Sequence, residues 1–201
     1  MTTVYFIRHS KPLKLNNEYN NDNLQLINEK EILSIEGEEF AKEVSLKFQN
    51  IDVVYSSSYV RAICTAKYIA DRNNLNINII SDFGERKFGI NSWDELPKDF
   101  AIRQFEDENY KIKNGESLKE VKNRMYNSLI KVLNENKNKN ICIISHSTAM
   151  SSLFKTWCEI KVNDGYYFKG NKFIDTKWGY CVSFKLTLDE ENNLIDIENI
   201  K

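Results

Sequence analysis

Val4-Tyr5-Phe6-Ile7-Arg8-His9-Ser10 sets four apolar residues directly against an arginine, a histidine and a serine. A continuous apolar run, rather than an alternating one, is the pattern of a strand covered on both faces. The same arrangement returns late in the chain, where Ile141-Cys142-Ile143-Ile144-Ser145 leads into His146-Ser147-Thr148. These are the only 2 histidines in the sequence. In open α/β sheets, ligands bind at the carboxyl ends of the strands. Two parallel strands would therefore carry both imidazoles to one edge.

Working outward, Asp52-Val53-Val54-Tyr55 and Ile77-Asn78-Ile79-Ile80 predict two further strands. Cys181–Leu188 and Leu194–Ile200 predict a closing hairpin around Asp189-Glu190-Glu191-Asn192-Asn193. Helical periods fall between the strands. Leu33, Gly37, Phe40, Ala41, Val44 and Phe48 share one face; Ala62, Ala66 and Ile69 define a second. Leu118, Val121, Met125, Leu129 and Val132 define a third, opened by a Ser117-x-x-Glu120 capping box. Leu153, Phe154 and Trp157 indicate a fourth. Strands interleaved with helices predict an α/β fold, a three-layer α/β/α sandwich with a mostly parallel central sheet.

Residues 11–32 are polar and asparagine-rich, as in a long surface loop or weak excursion. Residues 90–114 mix Trp93, Phe100, Phe105 and Tyr110 with many charges, which predicts a partly helical, substrate-covering insertion over one end of the sheet. No repeat or linker divides the chain, so residues 1–201 read as a single domain.

Composition narrows the partners. The formal net charge is −1, without a long block of either sign, which argues against nucleic acid or an anionic membrane surface. No stretch approaches the roughly 18 apolar residues of a membrane span, and no signal peptide is visible, so a cytoplasmic protein is expected. Cys64, Cys142, Cys158 and Cys181 are scattered, without metal-ligand spacing, and read as reduced thiols in or near the core.

Three further groups converge on the edge that holds the histidines. Ser56-Ser57-Ser58-Tyr59-Val60-Arg61 places Arg61 in the first turn of a helix, where free N–H groups favour an anion. Arg8 and Arg61 present planar forks suited to phosphate oxygens. Asp82-Phe83-Gly84-Glu85 adds a carboxyl group to the same rim.

Taken in order, these segments resemble the histidine phosphatase superfamily, the phosphoglycerate mutase-like family, in its phosphatase branch. Arg8-His9-Ser10 is similar to the family's Arg-His-Gly signature, and Leu33-Ser34-x-x-Gly37-x-x-Phe40-Ala41 to its Leu-Thr-x-x-Gly-x-x-Gln-Ala helix start. Ser56-Ser57-Ser58-Tyr59-Val60-Arg61-Ala62-Ile63-Cys64-Thr65-Ala66 resembles Ser-Ser-Pro-Leu-x-Arg-Ala-x-Gln-Thr-Ala. Glu85-x-x-Phe88-Gly89 with Trp93 resembles the acid-bearing loop, Gly115-Glu116-Ser117 the Gly-Glu-Ser turn, and His146-Ser147 the second His-Gly.

The resemblance implies a phosphoric monoester hydrolase of the histidine acid type, acting on a small phosphorylated metabolite without metal or other cofactor. In that scheme His9 forms a phosphohistidine, and Arg8, Arg61 and His146 hold the phosphoryl oxygens. Glu85 serves as general acid and then base. Glu116 stands behind the phosphate site or, with Ser117, only caps a helix. Ser57 is open between a hydrogen bond to His9 and a capping role. Ser10 and Ser147 replace glycines, which would strain the backbone if either position required φ > 0. Pro12 stands where a threonine is common; Phe40 and Cys64 replace glutamines at packing positions. Trp93, Phe100, Arg103 and Tyr110 read as packing of the insertion, with the leaving-group pocket as the alternative.

Three other activities compete. A cofactor-dependent phosphoglycerate mutase would need a closed, water-poor pocket and, in this family, a longer insertion. A two-histidine phosphoesterase would need a second His-x-Thr/Ser motif, which His9-Ser10-Lys11 does not supply. A non-catalytic phospho-ligand binding module would have no use for both His9 and Glu85.

Overall fold

The computed structural model describes residues 1–14 and 24–200. The apolar runs form strands β1 (Thr2–Arg8), β2 (Val53–Ser56), β3 (Ile77–Ile79) and β4 (Asn140–Ser145), and the closing hairpin forms β8 (Ser183–Leu188) and β9 (Leu194–Ile200). Helices α1 (Leu24–Lys30), α2 (Ile35–Ser45), α3 (Val60–Asn73), α4 (Phe100–Glu106), α5 (Leu118–Glu135) and α6 (Ser147–Phe154) lie between them. The main sheet has six strands in the order β3-β2-β4-β1-β8-β9. The first four are parallel, and β8 and β9 add an antiparallel edge.

Alternation along the strands divides the core into two. Val4, Phe6, Ile141 and Ile143 pack beneath Val121, Met125 and Leu129 of α5 and Met150 and Leu153 of α6. Ile7, Val54, Cys142 and Ile144 pack on the other side, against Val44 of α2 and Ala62, Ala66 and Ile69 of α3. β1 and β4 are therefore buried on both faces, which is what their unbroken apolar runs require. The result is a three-layer α/β/α sandwich. No helix among the described residues is long and apolar enough to cross a membrane.

The capping box at the start of α5 forms in full: Ser117 Oγ accepts from Glu120 N–H, and the Glu120 carboxylate accepts from Ser117 N–H. Gly37 answers to a close approach instead. A Cβ there would lie 2.1 Å from the Lys11 carbonyl oxygen, so only glycine lets α2 press against the chain leaving β1.

Several expectations need correction. Phe40 is 40% exposed; the buried stripe of α2 runs through Gly37, Ala41 and Val44, and Phe40 falls beside it. Trp157 lies beyond the end of α6 and packs at a tilt against Tyr126, ring centroids 6.0 Å apart. Cys181 precedes β8 in the left-handed region, with φ 53°. Cys142, Cys158 and Cys181 are buried, whereas Cys64 is partly exposed; all four are free thiols. Of the polar stretch 11–32, residues 15–23 lie outside the described residues; α1 occupies part of the rest, and Pro12 forms a bridge with Leu33.

A second sheet has no counterpart in the sequence reading. Strands β5 (Glu159–Lys161), β6 (Gly165–Phe168) and β7 (Asn171–Asp175) form an antiparallel unit beyond α6. Lys169 and Gly170 join β6 to β7, both at positive φ. That is the backbone of a tight two-residue hairpin turn.

Candidate active site

Strand register brings the two histidines together. β1 and β4 are adjacent and parallel, with Arg8 opposite Ser145, so the next residue of each strand is a histidine. The His9 N–H donates to the Ser145 carbonyl at 3.0 Å, and the two ring centroids are 5.0 Å apart. His9 is 5% exposed and His146 fully buried.

Hydrogen bonding selects the tautomer of His9. Nδ1 lies 2.7 Å from the Ser10 carbonyl, an obligate acceptor, so Nδ1 carries the proton. Nε2 is left with its lone pair, 3.2 Å from the donating Nε of Arg61. Burial is the main force against a second proton on His9, reinforced by the charge of Arg61, and its pKa falls to about 3. His146 is held well below the usual imidazole range, again chiefly by burial.

Arg61 links the two rings. It sits in the first turn of α3, 3% exposed, with a terminal nitrogen 3.3 Å from His146 Nδ1. Its other terminal nitrogen donates to the Asn28 carbonyl and lies 3.3 Å from a Glu31 carboxylate oxygen. The guanidinium stacks on Tyr59, whose ring also meets His146 edge-on. Arg8 stacks on Tyr180 and donates to the Trp178 carbonyl at 2.6 Å. Its Nε is buried and has no hydrogen-bond partner among the described residues.

Ser57 does not reach His9; its Oγ lies 2.8 Å from His146 Nε2. Ser57 directly follows β2, which borders β4 and not β1, and so stands beside the second histidine. Its Oγ also accepts from the N–H of Tyr59, the residue that opens α3, at 3.4 Å. Ser10 and Ser147 are both absent from the positive-φ residues, so neither serine is strained by its backbone. Ser10 is tied into the frame: Oγ donates to the Gly37 carbonyl, and its N–H donates to Thr65 Oγ1.

Glu85 lies at the N-terminus of α6, immediately after His146. Its carboxylate accepts from the N–H groups of Arg86, Thr148 and Ala149 at 2.9, 3.2 and 3.0 Å. The helix dipole favours a negative charge there. Glu116 does not touch either histidine. It pairs with Arg124 at 2.7 Å and accepts from Lys87 N–H. Arg124 in turn donates to the carbonyls of Asp82, Gly84 and Glu85, which clamps the acid-bearing loop. Ser145 Oγ fastens the same loop through the Phe83 carbonyl.

Sequence reasoning missed Glu31, Tyr59, Arg124, Trp178 and Tyr180. Arg124 and Tyr180 leave little local signal, because the loop carbonyls that Arg124 holds and the Arg8 that stacks on Tyr180 lie 39 or more residues away in the chain. Tyr59 stands inside a recognised motif, but nothing in it foretells two ring contacts.

A cleft of about 420 Å³ opens beside this cluster, sharing Arg8, Ser147 and Thr148 with it. Its far walls come from α4 and from the small second sheet. Trp93, Phe100, Arg103 and Tyr110 do not line it. Phe100 stacks against Phe88 and Tyr110, Trp93 against Phe88, and Arg103 lies over Tyr110. Among the described residues, no three His, Cys, Asp or Glu side chains cluster so as to hold a metal ion.

The model of the histidine phosphatase superfamily (branch 1) matches residues 4–174. The chain belongs to that superfamily. Phosphoserine phosphatase 1 of Hydrogenobacter thermophilus is 30% identical over 133 residues, covering 61% of this chain. The match spans 62% of that relative's own length. Among solved structures, a phosphoserine phosphatase variant from Entamoeba histolytica, in complex with phosphoserine, superposes with TM-score 0.68 at 20% identity. It covers 98% of this chain and 97% of its own. A mycobacterial glucosyl-3-phosphoglycerate phosphatase gives TM-score 0.72 at 15% identity, with 99% of both chains covered. At such identities the likeness establishes a shared fold. This member of the superfamily has its paired histidines at the carboxyl ends of the adjacent strands β1 and β4.

Proposed function

We propose that the protein is a metal-independent phosphatase that hydrolyses a small phosphomonoester through a phosphohistidine on His9. The observation that carries the reading is the fixed, unprotonated Nε2 of His9 beside the Arg61 guanidinium. A buried imidazole with its proton held on Nδ1 is a nucleophile at neutral pH, and the surrounding cations suit a dianionic ester. Arg8 supports the same reading, because its buried Nε, without a partner among the described residues, is a donor that a phosphoryl oxygen would satisfy.

The chemistry divides into two displacements. On binding, phosphoryl oxygens take over the donors of Arg61 and Arg8, and Arg61 exchanges its contact with His9 for the ligand. His9 Nε2 attacks phosphorus as the phosphorus–oxygen bond to the alcohol breaks. Glu85, entering the step as the neutral carboxylic acid, turns one oxygen from the α6 N–H groups and gives its proton to the departing alkoxide. Water then attacks the phosphohistidine, Glu85 takes its proton, and inorganic phosphate leaves with His9 restored. His146, oriented by Ser57, lies against the transferring group throughout. The two arginines provide the charge neutralisation that a metal ion provides elsewhere, so the scheme has no step for one.

Hydrolysis of 4-nitrophenyl phosphate tests the reading. Turnover should persist in excess chelator and vanish in His9→Ala. Activity that survives that substitution, or that is lost on chelation, contradicts it.

A further inference from the structure

We infer that the leaving group is an uncharged alcohol carrying a ring, and neither an amino acid nor a hydroxy acid. The inference rests on the phosphatase reading and concerns the cleft beside the phosphate site.

That cleft, about 420 Å³, lies within the usual range for a small-molecule pocket. It is larger than a three-carbon leaving group needs. Its walls contain only two charged side chains among the described residues, Arg8 and Lys155. Arg8 faces the phosphoryl position. Lys155 is already committed, with Nζ 3.2 Å from Glu108 Oε1 and 5.8 Å from the Phe105 ring centroid. No aspartate or glutamate lines the cleft among the described residues.

A carboxylate on the leaving group would therefore enter without an available cation, and an ammonium without an acid. Each would give up hydration for no partner, which is unfavourable in a partly enclosed site. What the walls do offer is apolar surface from Phe105, Val162 and Trp178, with amide and hydroxyl groups from Gln104, Asn163 and Thr176. Apolar walls with a few placed polar groups suit a ring that carries hydroxyls or ring nitrogens, as in a nucleoside.

Phosphoserine, the compound bound to the Entamoeba phosphatase, carries both of the charges this cleft leaves unmatched. The fold is shared, but the walls of this chain favour another class of ester.

The test compares kcat/KM for benzyl phosphate and adenosine 5′-monophosphate with that for phosphoserine and 3-phosphoglycerate. All four are alkyl esters, so differences in leaving-group acidity are small. The ring-bearing pair should be preferred by about tenfold or more, the scale of discrimination when a group is left unpaired or a contact is lost. Phe105→Ala, at a half-exposed position, should raise KM for benzyl phosphate several-fold more than it raises KM for phosphoserine. Val162→Lys adds a cation at an exposed rim position and should improve 3-phosphoglycerate relative to benzyl phosphate by up to about fivefold. A preference for phosphoserine or 3-phosphoglycerate in the unaltered protein overturns this inference alone. Both variants leaving the preferences unchanged also overturns it, because the cleft is then not where the leaving group sits. Failure to hydrolyse any ester, 4-nitrophenyl phosphate included, overturns the phosphatase reading and takes this inference with it.

Discussion

At the scale of single residues, three roles are separated by hydrogen bonding. His9 has its proton on the nitrogen facing Ser10 and its lone pair on the other. His146 is held between Ser57 and Arg61, and Glu85 rests on the N–H groups that open α6. If Glu85 protonates the leaving oxygen, removing its proton should matter most for poor leaving groups. Glu85→Gln should lower kcat for an alkyl phosphate by about 10²-fold or more and spare 4-nitrophenyl phosphate substantially. An equal loss on both esters would assign Glu85 a purely positional role. Tyr59 belongs at this scale as well: burial pushes its phenol up to about 12, so its hydroxyl remains a donor to the Glu85 carbonyl.

At the scale of elements, the acid-bearing loop owes its position to α5. Arg124 projects from that helix to three loop carbonyls while Glu116 holds its charge. Small displacements of a reacting group are expensive in rate. Arg124→Met should therefore lower kcat by about tenfold with KM little changed, and the loss should deepen as the leaving alcohol becomes more basic. A drop in KM-dependent binding alone, or a loss blind to the leaving group, would show that the clamp does not serve Glu85. The elements also show what was legible in the chain. β1, β4 and α5 were readable because continuous apolar runs and a capping box are local patterns. The β5–β7 sheet was not, since its strands are three to five residues long and half exposed, and its turn is Lys169-Gly170. That turn lacks the Asn-Gly or Asp-Gly pair that usually announces a tight hairpin. Within the site, Arg8, His9, Arg61 and His146 each stand at a strand or helix end that the sequence marks, and Glu85 stands in the loop beyond β3. For Ser57 the sequence left a bond to His9 and a capping role open, and the bond to His146 was not legible because strand order, with β4 lying between β2 and β1, is not written locally.

At the scale of the whole molecule, stability and chemistry are linked through the two buried imidazoles. Both are neutral in the folded protein, with His9 lowered from 6.5 to about 3 and His146 lowered also. In the unfolded chain each titrates near 6.5, so below that pH the unfolded state binds more protons. Their contribution to stability is complete above about 6.5 and declines as pH falls from there toward 3. By pH 5 the loss from His9 should be about 2 kcal/mol, and His146 adds to it in the same direction. Urea midpoints at pH 7.5 and 5.0 measure it, and His9→Gln should flatten the difference. An unchanged difference in that variant would mean that His9 is not held neutral by the fold. Since the chain has 2 histidines, their ring resonances in NMR give an independent reading, with no titration expected between pH 8 and 5.

The most direct test of the account is to quench the protein during turnover of a phosphorus-labelled ester and examine the label that stays attached. A phosphohistidine predicts label that survives alkali, is released by acid, maps to the peptide containing His9, and is absent from His9→Ala. Label that resists acid, maps elsewhere, or persists in His9→Ala while the ester is still hydrolysed would contradict it.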